Sequence, residues 1–161
     1  MVDHSRAIAA VDDTIRSVWS GIVKSAAILA MTLVAALNEA GAATGDGDVY
    51  TARLGRLINA HRAQHGLQPL SPAALLAELA REHSVLMARE HRLSHDGFQQ
   101  RFANARSPTC VENVGVDPGT PEAEFEAWRN SPTHAHNLLD PRIARMGIAV
   151  EAGYVTFFAC R

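Results

Sequence analysis

The sequence predicts an α+β domain in which helices cover an antiparallel sheet. Patterns typical of helices, with apolar residues three and four positions apart, come first along the chain, and extended patterns follow them. That order differs from the regular strand–helix alternation of a parallel α/β fold. The C-terminal run MGIAVEAGYVTFFACR contains two strand-like stretches around Ala152-Gly153, which is a hairpin signal.

Composition limits the class of protein. The chain has 161 residues, a formal net charge of −2 and 47% hydrophobic residues, which suits one globular domain. These values exclude disordered and collagen-like chains. A charge near zero gives no basic surface for nucleic acid, so no nucleic-acid partner is expected.

The N-terminal segment has the pattern of a secretory signal. Residues 25–37 (SAAILAMTLVAAL) are uncharged and apolar, Lys24 precedes them, and small residues follow at 40–42. This apolar run has 13 residues, whereas a membrane-spanning helix needs about 20. The pattern predicts a signal peptide over residues 1–42, cleaved near Ala42. The alternative is an uncleaved N-terminal anchor, which would then be the only membrane contact, and under both interpretations the remainder is exported.

The exported part divides into a linker, residues 43–48, and a domain, residues 49–161. Cys110 and Cys160 are the two cysteines of the chain, and an oxidising compartment favours a disulfide between them. The alternative is a pair of buried free thiols. The two residues do not form a C-x-x-C pair, so a redox-active dithiol is not expected.

Two helices are predicted in the first half of the domain. The first runs from about Val49 to His65, because its apolar residues share one helix face, and Gly66 is a natural stop. The second helix has Ser71 as N-cap and Pro72 in its first turn, and it ends near residues 91–94.

Shorter elements follow. The stretch GFQQRF suits a short helical turn, and residues 111–114 (VENV) suit a strand. Thr120 caps a third helix, from which Phe125 and Trp128 face inward. The acidic residues of that helix, Glu122, Glu124 and Glu126, are interpreted as solvated charges.

Three polar residues at element ends or in loops are candidates for chemistry: His95 in SHDG, Glu112 in VENV and His134 in SPTHAHN. Two imidazoles and a carboxylate suit a divalent cation, either with the carboxylate as a ligand or with it orienting a histidine. On residue type alone a chance set is favoured over a site, because seven histidines fall in the exported part. His83 lies on an apolar helix face and is interpreted as a packed core residue, and His136 points away from His134.

Six short motifs follow one another along residues 50–161. They are Ile58-Asn59-x-x-Arg62, Gly66-Leu67-x-Pro69-Leu70, Ser94-His95-x-Gly97, Glu112-Asn113, Trp128-x-x-Ser131-Pro132-x-His134 and Met146-Gly147-Ile148-Ala149. In this order they resemble a secreted bacterial member of the CAP superfamily, which comprises the cysteine-rich secretory, antigen 5 and pathogenesis-related 1 proteins. The resemblance implies a three-layer α-β-α sandwich with a surface cleft.

The resemblance also implies which residues line that cleft. Two histidines and two acidic residues do so in the family, and His95, Glu112 and His134 match three of them. The place of the second acid, three residues after Trp128, is Ser131 here. A mechanism that needs paired carboxylates is therefore in doubt.

Other matched positions have structural alternatives. Asn113, Ser131 and Trp128 are expected to line the cleft beside Glu112. Alternatively, Asn113 satisfies backbone groups in a turn, Ser131 ends a helix, and Trp128 belongs to the core. Arg62 forms a buried ion pair or caps a helix end.

The expected function is that of an exported binding module. His95 and His134 would hold a divalent cation, Zn²⁺ or Mg²⁺, and the resemblance implies an extracellular lipid or protein as ligand. A metal-assisted hydrolase with Glu112 as general base is the enzymatic alternative. A third interpretation is an envelope protein that acts through surface contacts alone.

Overall fold

The computed structural model of the protein describes residues 45–116 and 119–161. The predicted signal peptide, residues 1–42, lies outside the described residues. Within the described ranges, no helix is both long and apolar enough to cross a membrane.

The described residues form five helices and four strands. In chain order they are α1 (Asp46–Gln64), β1 (Ser71–Pro72), α2 (Ala74–Glu90), α3 (Phe98–Ala105), β2 (Cys110–Val116), α4 (Pro121–Asn130), α5 (Pro132–Leu138), β3 (Arg145–Glu151) and β4 (Tyr154–Cys160).

The sheet has the strand order β1-β3-β4-β2. β3 and β4 form the predicted hairpin, in which Ala152 and Gly153 both have positive φ (45° and 81°), as a two-residue type I′ turn requires. β2 pairs with β4 in antiparallel register. The expectation of a purely antiparallel sheet is wrong at one edge, because the short strand β1 runs parallel to β3.

Helices cover both faces of this sheet. Phe157 on β4 packs into a cluster with residues of α1, α4 and α5, and its neighbour Phe158 packs into a second cluster with residues of α2 and α3. Successive strand residues point to opposite faces of the sheet, so β4 contributes side chains to both core clusters. The predicted α+β class and the three-layer sandwich are confirmed.

A glycine sets how closely α2 approaches the sheet. A Cβ atom built on Gly147 of β3 would lie 2.0 Å from the backbone nitrogen of Ala77 and 2.1 Å from the carbonyl carbon of Leu76. Any larger residue would push α2 away from β3. The Met146-Gly147 motif is therefore a packing requirement for the helix that precedes the candidate site.

The start of α2 differs from the prediction. Ser71 does not cap the helix, because its N–H donates to Ala144 O (3.0 Å) and it belongs to β1. The N-cap position is Ala73. Pairing with β3 satisfies the backbone of this segment in place of helix capping.

The first helix also begins earlier than expected. α1 starts at Asp46 rather than near Val49, so the last three residues of the predicted linker are helical. Asp46 and Asp48 lie in its first turn, where negative charge interacts favourably with the helix dipole. The predicted turn GFQQRF is part of a two-turn helix, α3.

The predicted disulfide is confirmed. Cys110 and Cys160 are directly opposite each other on β2 and β4, with their Cα atoms 4.1 Å apart. Such a short separation is typical of a pair of residues that do not hydrogen-bond to each other across an antiparallel ladder. The bond ties the first residue of β2 to the last residue of β4.

The interpretation of the three acidic residues of α4 as solvated charges is wrong for Glu124. It is 3% exposed, and a Cβ atom on Gly115 would lie 1.9 Å from its Oε1 atom, so the carboxyl group occupies space that only glycine leaves open. Burial raises the pKa of Glu124 to about 7.

Glu124→Gln is expected to remove a pH dependence of stability. The folded protein holds this proton up to about pH 7, whereas the unfolded chain releases it near pH 4.5. The native carboxyl is therefore tolerated below about pH 4.5 and becomes destabilising as the pH rises to 7, by roughly 3 kcal/mol in total. Urea unfolding of both proteins between pH 4 and pH 8 measures the difference, and Glu126→Gln on the exposed face is the control. Parallel pH curves for the native protein and the Glu124→Gln variant would contradict the expectation.

Candidate functional site

The candidate site is built around one buried carboxylate. Glu112 lies on β2 with 5% exposure, and its side chain turns toward the layer of α2 and α3. Arg101 of α3 donates two parallel hydrogen bonds to it, from Nε to Oε2 (2.7 Å) and from Nη2 to Oε1 (2.8 Å). The ring of His95 makes the third contact, from Nδ1 to Oε1 (2.9 Å).

These contacts determine the charge of Glu112. Burial alone would raise the pKa of the carboxyl group, but the hydrogen bonds from His95 and Arg101 and the charge of Arg101 outweigh it and lower the pKa. Glu112 is therefore an ionised acceptor at neutral pH, with both oxygens occupied. A carboxylate in this state is a weak base.

The loop that carries His95 is fixed on both sides of that residue. The buried ring of His83, on α2, donates from Nε2 to the carbonyl oxygen of Ser94 (2.8 Å). Arg101 donates from Nη1 to the carbonyl oxygen of Asp96 (2.8 Å). His95 itself remains accessible, with 53% of its side chain exposed.

His83 is the packed core histidine that its helix position predicts, and it is 1% exposed. Burial and the nearby charge of Arg101 lower its pKa, so the ring is neutral at neutral pH. Since Nε2 carries the proton that Ser94 accepts, Nδ1 is an acceptor, and it has no partner among the described residues. The ring positions the His95 loop rather than binding a ligand.

His134 lies on α5, in the other helix layer. The Asn113 side chain donates from Nδ2 to the carbonyl oxygen of His134 (3.1 Å). Asn137 donates from Nδ2 to the Asn113 side-chain oxygen (2.9 Å) and to the Glu112 carbonyl oxygen (3.0 Å). Two asparagines therefore fasten α5 to the edge of β2.

Electrostatics connects the two histidines. Burial, followed by the charge of His95, lowers the pKa of His134, so its imidazole is neutral at neutral pH. The structure brings His95 into contact with Glu112, and it links His134 to the same strand through Asn113. A cavity of about 270 Å³ opens at this edge. Its lining residues are His95, Phe98, Cys110, Val111, Glu112 and Asn137.

Several predicted cleft residues have structural roles instead. Trp128 is 1% exposed and donates from Nε1 to Val114 O (3.2 Å), so it belongs to the core and not to the cleft wall. Asn113 is fully buried, which leaves no surface for a ligand. Ser131 separates α4 from α5 as a helix-end residue.

Arg62 acts as a helix cap. It is buried, and its Nη1 atom donates to the carbonyl oxygens of Leu138 (2.8 Å) and Asp140 (3.0 Å) at the end of α5. Of the two alternatives left open by the sequence, the cap is therefore the observed one. Through α5, this contact supports the element that carries His134.

Sequence reasoning missed Arg101, Phe98 and Asn137. Arg101 had a detectable signal, since a buried glutamate on a strand needs a cation and few arginines lie near the His95 motif. Phe98 and Asn137 carry no such signal, because their proximity to Glu112 depends on how α3 and α5 pack.

The site has a defined arrangement for binding. Because Nδ1 of His95 donates to Glu112, its Nε2 atom is the nitrogen left to bind a ligand, and a carboxylate that orients a histidine in this way is common beside metal ions. No group of three or more His, Cys, Asp or Glu side chains in residues 45–116 and 119–161 is placed to hold a metal ion.

Comparison with known proteins places the chain in a family. The model of the cysteine-rich secretory protein family (CAP) matches residues 56–160. The chain belongs to the CAP family. The match contains His95, Glu112, His134 and both cysteines of the disulfide.

Three known proteins illustrate how similar CAP domains are to this one. An uncharacterized Bacillus subtilis protein, YkwD, is 29% identical over 126 residues, which are 73% of this chain and 49% of YkwD. A crystal structure of an extracellular SCP-domain protein from Bacillus anthracis has a TM-score of 0.68 at 24% identity, covering 71% of this chain and 41% of that one. A cysteine-rich secretory protein from Staphylococcus aureus has a TM-score of 0.67 at 21% identity, covering 73% and 40%. This chain thus spans less than half the length of these relatives, and the structural matches establish the shared fold.

Arg101→Leu is expected to destabilise this CAP domain by about 3 kcal/mol or more, because it leaves the Glu112 carboxylate buried without its partner. Glu112→Leu alone should also destabilise the domain, since it leaves the Arg101 guanidinium buried without its partner. The double variant should recover much of the loss, because an apolar pair leaves no unpaired charge. Urea unfolding of the three variants gives the coupling energy, and strictly additive losses would show that the two side chains do not depend on each other.

Proposed function

We propose that this CAP protein is an exported binding module whose cleft holds a divalent cation between His95 and His134. Glu112 would act as the residue that orients His95, not as a ligand. The hydrogen bond from His95 Nδ1 to Glu112 carries the proposal, because it directs Nε2 away from the protein and fixes the tautomer that a metal needs.

The donor set favours zinc over magnesium. Imidazole nitrogens suit Zn²⁺, whereas Mg²⁺ prefers oxygen ligands in an octahedral arrangement. The lowered pKa of His134 supports this choice, since a neutral ring is ready to bind without losing a proton. With two protein ligands the affinity would be modest, and the open positions would be available to a bound molecule.

The cleft suggests how an extracellular lipid or protein would complete the site. Phe98 gives the cavity an apolar wall beside the exposed ring of His95. A ligand with an apolar part and an oxygen donor would cover this wall and reach the cation. Export is supported by the disulfide and by the descriptions of the similar proteins as extracellular or, for a further neighbour from Borrelia burgdorferi, as an outer surface protein.

A hydrolase is less well supported. A metal-assisted mechanism needs a general base, and the candidate, Glu112, has both oxygens occupied and a lowered pKa. Catalytic zinc sites also commonly have three protein ligands. We therefore propose binding, not catalysis.

Isothermal titration of the purified protein, prepared without a histidine tag, with Zn²⁺ tests the proposal. The combined variant His95→Ala and His134→Ala is expected to weaken zinc binding at least tenfold, because both ligands are removed. The matched control removes two other histidines, His65 and His136, in the same way. Equal zinc affinity in the native protein and the His95/His134 variant would exclude the proposed site, and an equal loss in the control would show nonspecific binding.

A further inference from the structure

A second concave surface lies at the β1–β3 edge of the sheet, opposite the β2 edge that carries the histidine cleft. Two adjoining cavities, of about 580 and 350 Å³, run along β3 between α1 and the first turns of α2. Both are lined by Thr51, Ala74, Ala77 and Ile148. Together they form one groove, which we call the β3 groove, and its size is that of a typical ligand site.

The outer edge of β3 forms the floor of the β3 groove. Along an antiparallel strand, alternate residues turn their N–H and C=O groups toward one neighbour and the residues between turn theirs the other way. The carbonyl oxygen of Met146 accepts from Ala73 N–H (2.9 Å), which places Met146 among the residues that face away from β4. Ile148 and Val150 follow at two-residue spacing and face the same way.

This edge is only partly covered. β1 ends at Pro72, opposite Met146, so it does not reach the last residues of β3. The N–H and C=O groups of Ile148 and Val150 have no hydrogen-bond partner among the described residues. Four backbone groups are therefore presented to the groove at the spacing of a β-strand.

At the opposite edge of the sheet, formed by β2, outward-facing backbone groups have hydrogen-bond partners. On β2, the carbonyl oxygen of Glu112 accepts from Asn137 and that of Val114 accepts from Trp128. Side chains of α4 and α5 thus satisfy outward-facing carbonyl groups there. Proteins commonly protect sheet edges in this way, because an open edge is a template for another strand.

We propose that the β3 groove binds an extended polypeptide segment of another protein, which adds to β3 as a fifth strand. Backbone N–H and C=O groups of the segment would pair with those of Ile148 and Val150. Peptide recognition by strand addition uses these same main-chain bonds, with pockets for alternate side chains.

The walls of the groove define the chemistry of the segment. Ala74 and Ala77 have small side chains close to the strand edge, so small apolar or β-branched side chains of the segment fit beside them. Proline is excluded wherever the segment must donate an N–H group. A lipid tail would fill the same space but leave the edge groups buried and unpaired, at a cost that a polypeptide avoids.

Hydrogen exchange with a defined probe tests the proposal. The probe is the heptapeptide selected from a random linear display library on the purified full chain, with no histidine tag. We expect the Ile148 and Val150 amides to exchange rapidly in the free protein and at least tenfold more slowly with the peptide bound. Methylation of the peptide nitrogens that face β3 should abolish binding. Methylation of the nitrogens between them, which face away from β3, should leave binding intact.

Variants locate the binding to the groove. Ala77→Leu and Ala74→Leu each place a larger side chain over the strand edge and should weaken peptide binding at least tenfold. Ala60→Leu, on the exposed side of α1 and outside the groove, is the matched control. Zinc titration of Ala74→Leu should be unchanged, because Ala74 is exposed at the start of α2, so that failure of this proposal and failure of the metal site are distinguishable.

Several outcomes would overturn the proposal. Failure of the library to yield a binding peptide would do so, as would binding that tolerates methylation at every position. Slow exchange of the Ile148 and Val150 amides in the free protein would show that a segment of the chain itself already occupies the edge. Equal weakening by Ala60→Leu would place the peptide elsewhere.

Discussion

The structure depends most on the burial of one negative charge. A carboxylate inside a protein is tolerated only when hydrogen-bond donors replace the water it has lost. Glu112 meets this requirement with Arg101 and His95. Because Arg101 also binds the loop at Asp96, the same guanidinium that neutralises the carboxylate fixes the position of the exposed histidine.

That single requirement links three elements of the fold. β2 supplies the carboxylate, α3 supplies the arginine, and the loop after α2 supplies the imidazole. α2 in turn lies against β3 at Gly147, where no side chain separates helix from strand. The position of His95 is therefore set by the packing of α2 against β3, two strands away from β2, as well as by its own hydrogen bond.

Local chemistry explains which features were predictable. The Ala152-Gly153 turn, the Thr120 cap and the histidine and glutamate motifs each follow from a few adjacent residues. Ser71 was misassigned because capping and strand pairing satisfy the same backbone groups, and only the position of β3 decides between them. The burial of Glu124 likewise depends on a distant residue, Gly115, whose missing side chain cannot be connected to α4 from sequence alone.

The disulfide is compatible with only one register of β2 and β4. Cys110 and Cys160 face each other only when β2 and β4 pair in the native alignment. A slip of one residue would turn Cys110 to the other face of the sheet, out of reach of its partner, and would carry Glu112 away from Arg101 at the same time. Once the strands have paired, the covalent bond therefore holds β2 and β4 in the alignment that keeps Glu112 beside Arg101.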